Sequence, residues 1–133
     1  MTDSPAPSGT LTAVVPCNEL DETEKFYNRL GFSRISSDCV ISGKEDAYRI
    51  LANGQGGHLH LTAAVPGWLQ ADTNPFGLYL YVENVDELAE KMRDDIIEPE
   101  APEDKPWGMY EFAVSDPEGT LVRVGWPSRL RRG

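Results

Sequence analysis

The chain has 133 residues, 40% of them hydrophobic, and a formal charge of −10, which suits one domain with its own core and excludes a chain dominated by disorder. The acidic excess repels nucleic acid and attracts cations, and no apolar run approaches the roughly 20 residues of a membrane helix. Two cysteines, Cys17 and Cys39, are too few for a disulfide framework and fit reduced thiols in a cytoplasmic protein.

The N-terminal MTDSPAPSG, residues 1–9, is polar and Pro-rich. It lacks the cationic start and apolar block of a secretory signal and reads as a flexible arm. TLTAVV then alternates as a strand. Pro16 directly after it is expected to disrupt a continued ladder, leaving a short arm suited to a partner's sheet. In NELDETEKFYNRLGF, Leu20, Thr23, Tyr27 and Leu30 recur at i, i+3, i+7 and i+10 with Phe26 beside them, which predicts a helix. Asn18 or Asp21 is its expected cap and Gly31 its end. Three strand-like runs follow: FSRISS with CVISG, AYRILAN, and HLHLTAAV. In the last, His58 and His60 share one face and Leu59 and Leu61 the other.

The stretch PGWLQADTNPF, residues 66–76, reads as a linker. After it GLYLYV predicts a strand, and NVDELAEKMRDD a helix with Val85, Leu88, Ala89 and Met92 on one face and Asn84 or Asp86 at its start. IIEP, MYEFAVS and TLVRVGW read as the remaining strands, with Asp116-Pro117-Glu118-Gly119 as a type I turn. The basic end RLRRG reads as a solvated tail.

Both halves therefore run strand, helix, then about three strands, and Leu20-Asp21-Glu22 and Val85-Asp86-Glu87 hold the same place in each. The expected fold is α+β: two tandem βαβββ modules forming a curved mixed sheet around a cleft. The modules cover about 10–65 and 77–127 within one domain of 10–127, and 128–133 form the tail.

The duplicated plan, FYNRLGF after the first strand, and WGMYEFAVSDPEGTLVRV resemble the vicinal oxygen chelate superfamily of glyoxalases, dioxygenases and bleomycin-resistance proteins. The likeness spans roughly residues 10–127. Pro106-Trp107-Gly108 before the penultimate strand is similar to the bleomycin-binding branch, whose members are metal-free dimers. The superfamily's enzymes hold a divalent metal with His and Glu. Matching the motifs puts Thr12, Gly77 and Arg123 at three of those positions and His60 near a fourth. Threonine is a poor ligand, glycine has none to offer and arginine is a fixed cation. No metal, no cofactor and no catalytic residue is therefore expected.

Several side chains are candidates for a ligand site. Strand parity places Tyr79 and Tyr81 on the face of Gly77, as half-buried sheet surface or as a stacking wall with hydroxyls. Arg123 shares that face with Leu121 and Gly125, pairing with Glu111 or with a ligand anion. Trp107 and Gly108 sit in a loop where the resemblance implies the wall of a drug groove; the plainer role is an anchor for the last hairpin. Trp68, in the linker, either closes a groove or covers a sheet edge. His58 and His60 form a polar sheet face or line the cavity, with His60 the better cavity candidate by its place near a family ligand position, and Tyr48 is a weaker candidate.

The reading that follows is a metal-independent, homodimeric binding protein for a cationic aromatic antibiotic of the bleomycin type, with no nucleic-acid or membrane partner. The alternative is a metal-dependent lyase, isomerase or dioxygenase of the same superfamily.

Overall fold

The computed structural model describes residues 9–37 and 46–131. Most of the N-terminal arm, the CVISG run and Cys39 lie outside the described residues. The elements are β1 (Ala13–Cys17), α1 (Leu20–Arg29), β2 (Ser33–Ser37), β3 (Tyr48–Ala52), β4 (His58–Ala63), β5 (Gly77–Tyr81), α2 (Val85–Lys91), β6 (Glu103–Asp104), β7 (Met109–Ser115) and β8 (Leu121–Pro127). They form two four-stranded mixed sheets of identical plan, ordered β1-β4-β3-β2 and β5-β8-β7-β6. In each, the first strand runs parallel to the last and the other pairings are antiparallel. This is the tandem βαβββ architecture that the repeat predicts.

Alternation along the strands divides each sheet into an apolar face under its helix and a mixed opposite face. Val15, Leu51, Leu59 and Leu61 are buried with Leu20, Phe26, Tyr27 and Leu30 of the α1 segment. Phe112, Val114, Val122 and Val124 are buried with Val85, Leu88, Ala89 and Met92 of the α2 segment. Leu78 and Leu80 pack against this core and Val82 lies within it, as strand parity requires. Gly31 ends α1 at φ 98°. Its N–H reaches Asn28 O at 3.0 Å and the Phe32 N–H reaches Tyr27 O at 3.0 Å, the paired bonds of a Schellman motif that only a residue tolerant of positive φ completes.

The helix start differs from expectation. Neither Asn18 nor Asp21 caps α1; its N-cap is Glu19, with no side-chain bond of its own. The donors go instead to Glu118, a hundred residues away. Its carboxylate accepts from the Asn18 N–H at 2.9 Å, the Glu19 N–H at 2.8 Å and the Thr23 hydroxyl at 2.8 Å. Asp116, at the other end of the same turn, accepts from the buried Tyr27 hydroxyl at 2.6 Å. The turn itself closes as predicted, with the Gly119 N–H on Asp116 O at 3.0 Å. The β7–β8 turn of the second module is thus the cap of the first module's helix, and its negative charge sits where the helix dipole favours it.

Three other expectations are corrected. Pro16 does not disrupt the first strand: it lies inside β1, in register with Thr62 of β4 in the same chain. β1 is an edge strand, and its missing N–H is tolerated there. IIEP is not a strand; Ile96 makes only an isolated bridge to Val114, and the first strand after α2 is the two-residue β6. Pro99 and Pro102 between them have no N–H with which to continue a ladder. The basic end is not wholly solvated. Arg131 lies 3.4 Å over the Tyr110 ring centroid and 3.5 Å from the Asp86 carboxylate.

Candidate functional site

The mixed face of the second sheet gathers three of the predicted residues, Tyr79, Trp107 and Arg123, around the carboxylate of a fourth, Glu111. Register sets Tyr79 across from Arg123, and Glu111 across from Gly125. Trp107 comes from the β6–β7 hairpin. There the Gly108 N–H bonds to Lys105 O at 2.9 Å, closing a turn with Pro106 at its second position and Gly108 at φ 89°. Proline presets the first bend and glycine accepts the left-handed exit, so the indole folds back toward Glu111, four residues along. Ser128 steadies this tip from the far end of β8, its N–H on Gly108 O at 2.8 Å.

Glu111 is fully buried, and both of its oxygens are committed. Oε1 accepts from the Tyr79 hydroxyl at 2.7 Å and from the Trp107 indole N–H at 3.2 Å. Oε2 accepts from Arg123 Nη1 at 2.9 Å. Burial first, and then the bond to Glu111, push the Tyr79 phenol above its ordinary value, so it remains a donor across neutral pH. Tyr81 stacks at a tilt on Tyr79, with centroids 4.7 Å apart.

The outer surfaces are open. Trp107 is 61% exposed and Tyr81 59%, while the Arg123 side chain is 38% exposed. Aromatic side chains so exposed yet fixed by a buried partner present a preformed stacking surface. A carboxylate with both oxygens occupied is a poor general base, and a tyrosine held protonated is a poor nucleophile. The geometry suits holding a molecule in place.

One residue here was missed by the sequence reading. A Cβ on Gly125 would fall 2.3 Å from the Tyr79 hydroxyl and 2.7 Å from Glu111 Cβ. Only glycine lets the tyrosine lie across β8 to reach the carboxylate. The signal was a glycine in the middle of a strand, which marks a close approach.

The remaining candidates stand apart from the cluster. His60 is on the corresponding face of the first sheet, half-buried. Its Nδ1 lies 2.7 Å from the Tyr48 hydroxyl, with the rings edge to face at 5.3 Å. His58, on the same face, is exposed. Trp68 is 82% exposed in the linker. Its backbone N–H bonds to Val65 O at 3.1 Å, and its ring is not drawn to Glu111. A cavity of about 310 Å³ opens between the two modules, with His58, Gly77, Leu78 and Tyr79 in its wall, near the lower bound for ligand pockets of roughly 300–1,000 Å³. A larger cavity of about 430 Å³ lies against α2. Two of its acids are already paired, Glu90 with Arg93 and Glu98 with Lys105, and no aromatic side chain lines it.

The donor chemistry does not fit a divalent cation. Arg123 places a fixed positive charge 2.9 Å from the one carboxylate of the site, and His60 is engaged with Tyr48. Among the described residues no three His, Cys, Asp or Glu side chains converge as a metal would require.

Fold and sequence together define the class. Residues 10–124 match the sequence profile of the Glyoxalase/Bleomycin resistance protein/Dioxygenase superfamily, and the chain belongs to it. Two solved structures are similar at 28% identity, each over 90% of this chain and 98% of its own. One is a bleomycin-binding protein complexed with bleomycin (TM-score 0.69), the other a bleomycin resistance determinant encoded on the transposon Tn5 (TM-score 0.70). TnmS3, an antibiotic binding protein from Streptomyces sp. CB03234, shares the fold at 22% identity over 94% of this chain and all of its own, with a TM-score of 0.69. No curated protein matches the chain in sequence. Among the described residues, no helix is long and apolar enough to cross a membrane.

Proposed function

We propose that this chain is a binding protein that sequesters a cationic aromatic antibiotic of the bleomycin type, without a metal and without making or breaking a bond. The observation that carries the reading is the exposed Trp107 indole pinned by its N–H to a buried carboxylate. A planar ring system stacks on such a face with little loss of side-chain entropy, because the face is already fixed. A cationic tail is drawn by the charge of −10. The two bleomycin-related structures at 28% identity support the same reading.

Titration with metal-free bleomycin, followed by tryptophan fluorescence, tests it. Quenching that saturates, that is lost in Trp107→Ala, and that is unchanged by prior chelation is the expected result. Absence of quenching in the wild type, or undiminished binding by the variant, refutes the assignment. We infer further that the protein works as a homodimer in the cytoplasm. Sizing chromatography at micromolar concentration should then give twice the mass of the chain, and a clean monomer would contradict this.

A further inference from the structure

The second module's cluster carries a feature that ring stacking does not use. Among the described residues, Arg123 bonds through Nη1 alone, to Glu111. A guanidinium has five N–H donors in a planar fork. The side chain is 38% exposed, and the carboxylate it bonds also holds the Trp107 indole N–H, so its remaining donors belong to the same cluster as the exposed ring. We propose that Arg123 reads a neutral hydrogen-bond acceptor, an amide carbonyl or ring nitrogen, carried by the planar ring that stacks beside it. This deepens the stacking reading above and rests on it.

The choice of a neutral acceptor over a carboxylate follows from Glu111. Its buried negative charge sits 2.9 Å from Nη1, so the pair presents a donor edge with almost no net charge. A ligand carboxylate on the free edge would be drawn by Arg123, repelled by Glu111 just behind it, and repelled again by a chain of charge −10. It would also lose hydration that a carbonyl does not need to shed. A neutral acceptor keeps the hydrogen bond and escapes the repulsion. Tyr79 and Trp107 fix the carboxylate, the carboxylate fixes Nη1, and the free edge is thereby aimed. The donors converge on the two oxygens of one carboxylate, so acceptor and ring fall within the span of a single bicyclic molecule.

Three probes of one shape separate the terms: quinoline-2-carboxamide, quinoline-2-carboxylate and 2-methylquinoline. Binding is followed at pH 7.5 by the ¹⁵N-resolved indole N–H signals of the three tryptophans, with Trp107 assigned from a Trp107→Phe sample. The carboxamide should shift the Trp107 signal with a Kd about 2–10-fold lower than 2-methylquinoline, the range of one net hydrogen bond, and lower than the carboxylate. In Arg123→Lys, which keeps a cation beside Glu111 but loses the fork, the carboxamide's advantage over 2-methylquinoline, measured in the same variant, should fall below about twofold. If that variant does not fold, the wild-type ranking decides alone. Equal Kd values, a carboxylate that binds most tightly, a preference that survives in the lysine variant, or no shift at Trp107 would each overturn the proposal. A protein that quenches with bleomycin yet ranks the probes equally keeps the antibiotic reading and loses this one. One that ranks the probes but ignores bleomycin does the reverse.

Discussion

Replacing Glu118 by glutamine should unfold the protein at a markedly lower temperature, although the change keeps the side chain's shape and lies in a turn. Glu118 is 2% exposed, and its oxygens face three donors: the N–H groups of Asn18 and Glu19 and the Thr23 hydroxyl. A glutamine turned either way sets its own amide N–H against at least one of them. The hydroxyl can rotate to accept; a backbone N–H cannot. At least one charge-assisted bond is therefore lost, at about 1.5–3 kcal/mol. The negative charge at the helix N-terminus goes as well, at about 0.3–1 kcal/mol, so the whole effect is about 2–4 kcal/mol. With an unfolding entropy of about 2.1 cal/mol/K per residue over 133 residues, Tm should fall by about 7–14 °C. Circular dichroism during thermal and urea unfolding measures this, with Glu100→Gln, an exposed site, as a control expected to stay within about 0.5 kcal/mol of wild type. A Glu118→Gln protein within that same margin would refute the claim that the turn caps the helix.

Gly125→Ala should place a methyl 2.3 Å from the Tyr79 hydroxyl, costing about 1–3 kcal/mol by overpacking and weakening ligand binding at Trp107; unchanged stability together with unchanged binding would count against the cluster geometry. Cys17 has its thiol pushed up to about 12, chiefly by burial and then by Glu118, so in a Cys39→Ser background a thiol reagent at pH 8 should label it only after denaturant is added. Labelling at the rate of a free thiol in native buffer would contradict that. Glu24 is held below its ordinary value of 4.5, first by its hydrogen bond from Arg34. A depressed carboxyl stabilises the fold above its unfolded value, and that stability is lost as pH falls through the folded one. The stability gap between wild type and Glu24→Gln in urea should therefore be present at pH 7 and shrink below about pH 4.5; a gap independent of pH would show that Glu24 acts only through packing.

Much of the architecture was legible because periodicity reports burial. The spacing of Leu20, Thr23, Tyr27 and Leu30 marked a helix face, and all four are buried. Alternation in GLYLYV marked which side Tyr79 and Tyr81 take, and the register with β8 agrees. The repeat gave the topology because two copies of one pattern must satisfy the same burial twice. What failed to show was every bond that joins distant parts. Glutamate is an ordinary choice at the third position of a type I turn, so nothing local marked Glu118 as a cap for a helix near the other terminus. IIEP looked like a strand because its isoleucines suit one, while the prolines at 99 and 102 decided otherwise. The gathering of Trp107, Tyr79 and Arg123 on Glu111 was only half visible. Parity put Tyr79 and Arg123 on one face, but the hairpin tip that turns the indole inward depends on a glycine φ that sequence suggests without fixing.

The clasp between Glu118 and the first helix also sets a clock on synthesis. Its partners are 95 to 100 residues apart, so the N-terminal half emerges with its helix start unfinished. At about 5–20 residues per second, the missing carboxylate arrives about 5–20 s later. Through that interval the repeat unit, though complete in outline, has not reached its final stability. Two halves that look interchangeable on paper have thus become a single folding unit, in which the last hairpin to be made finishes the first helix.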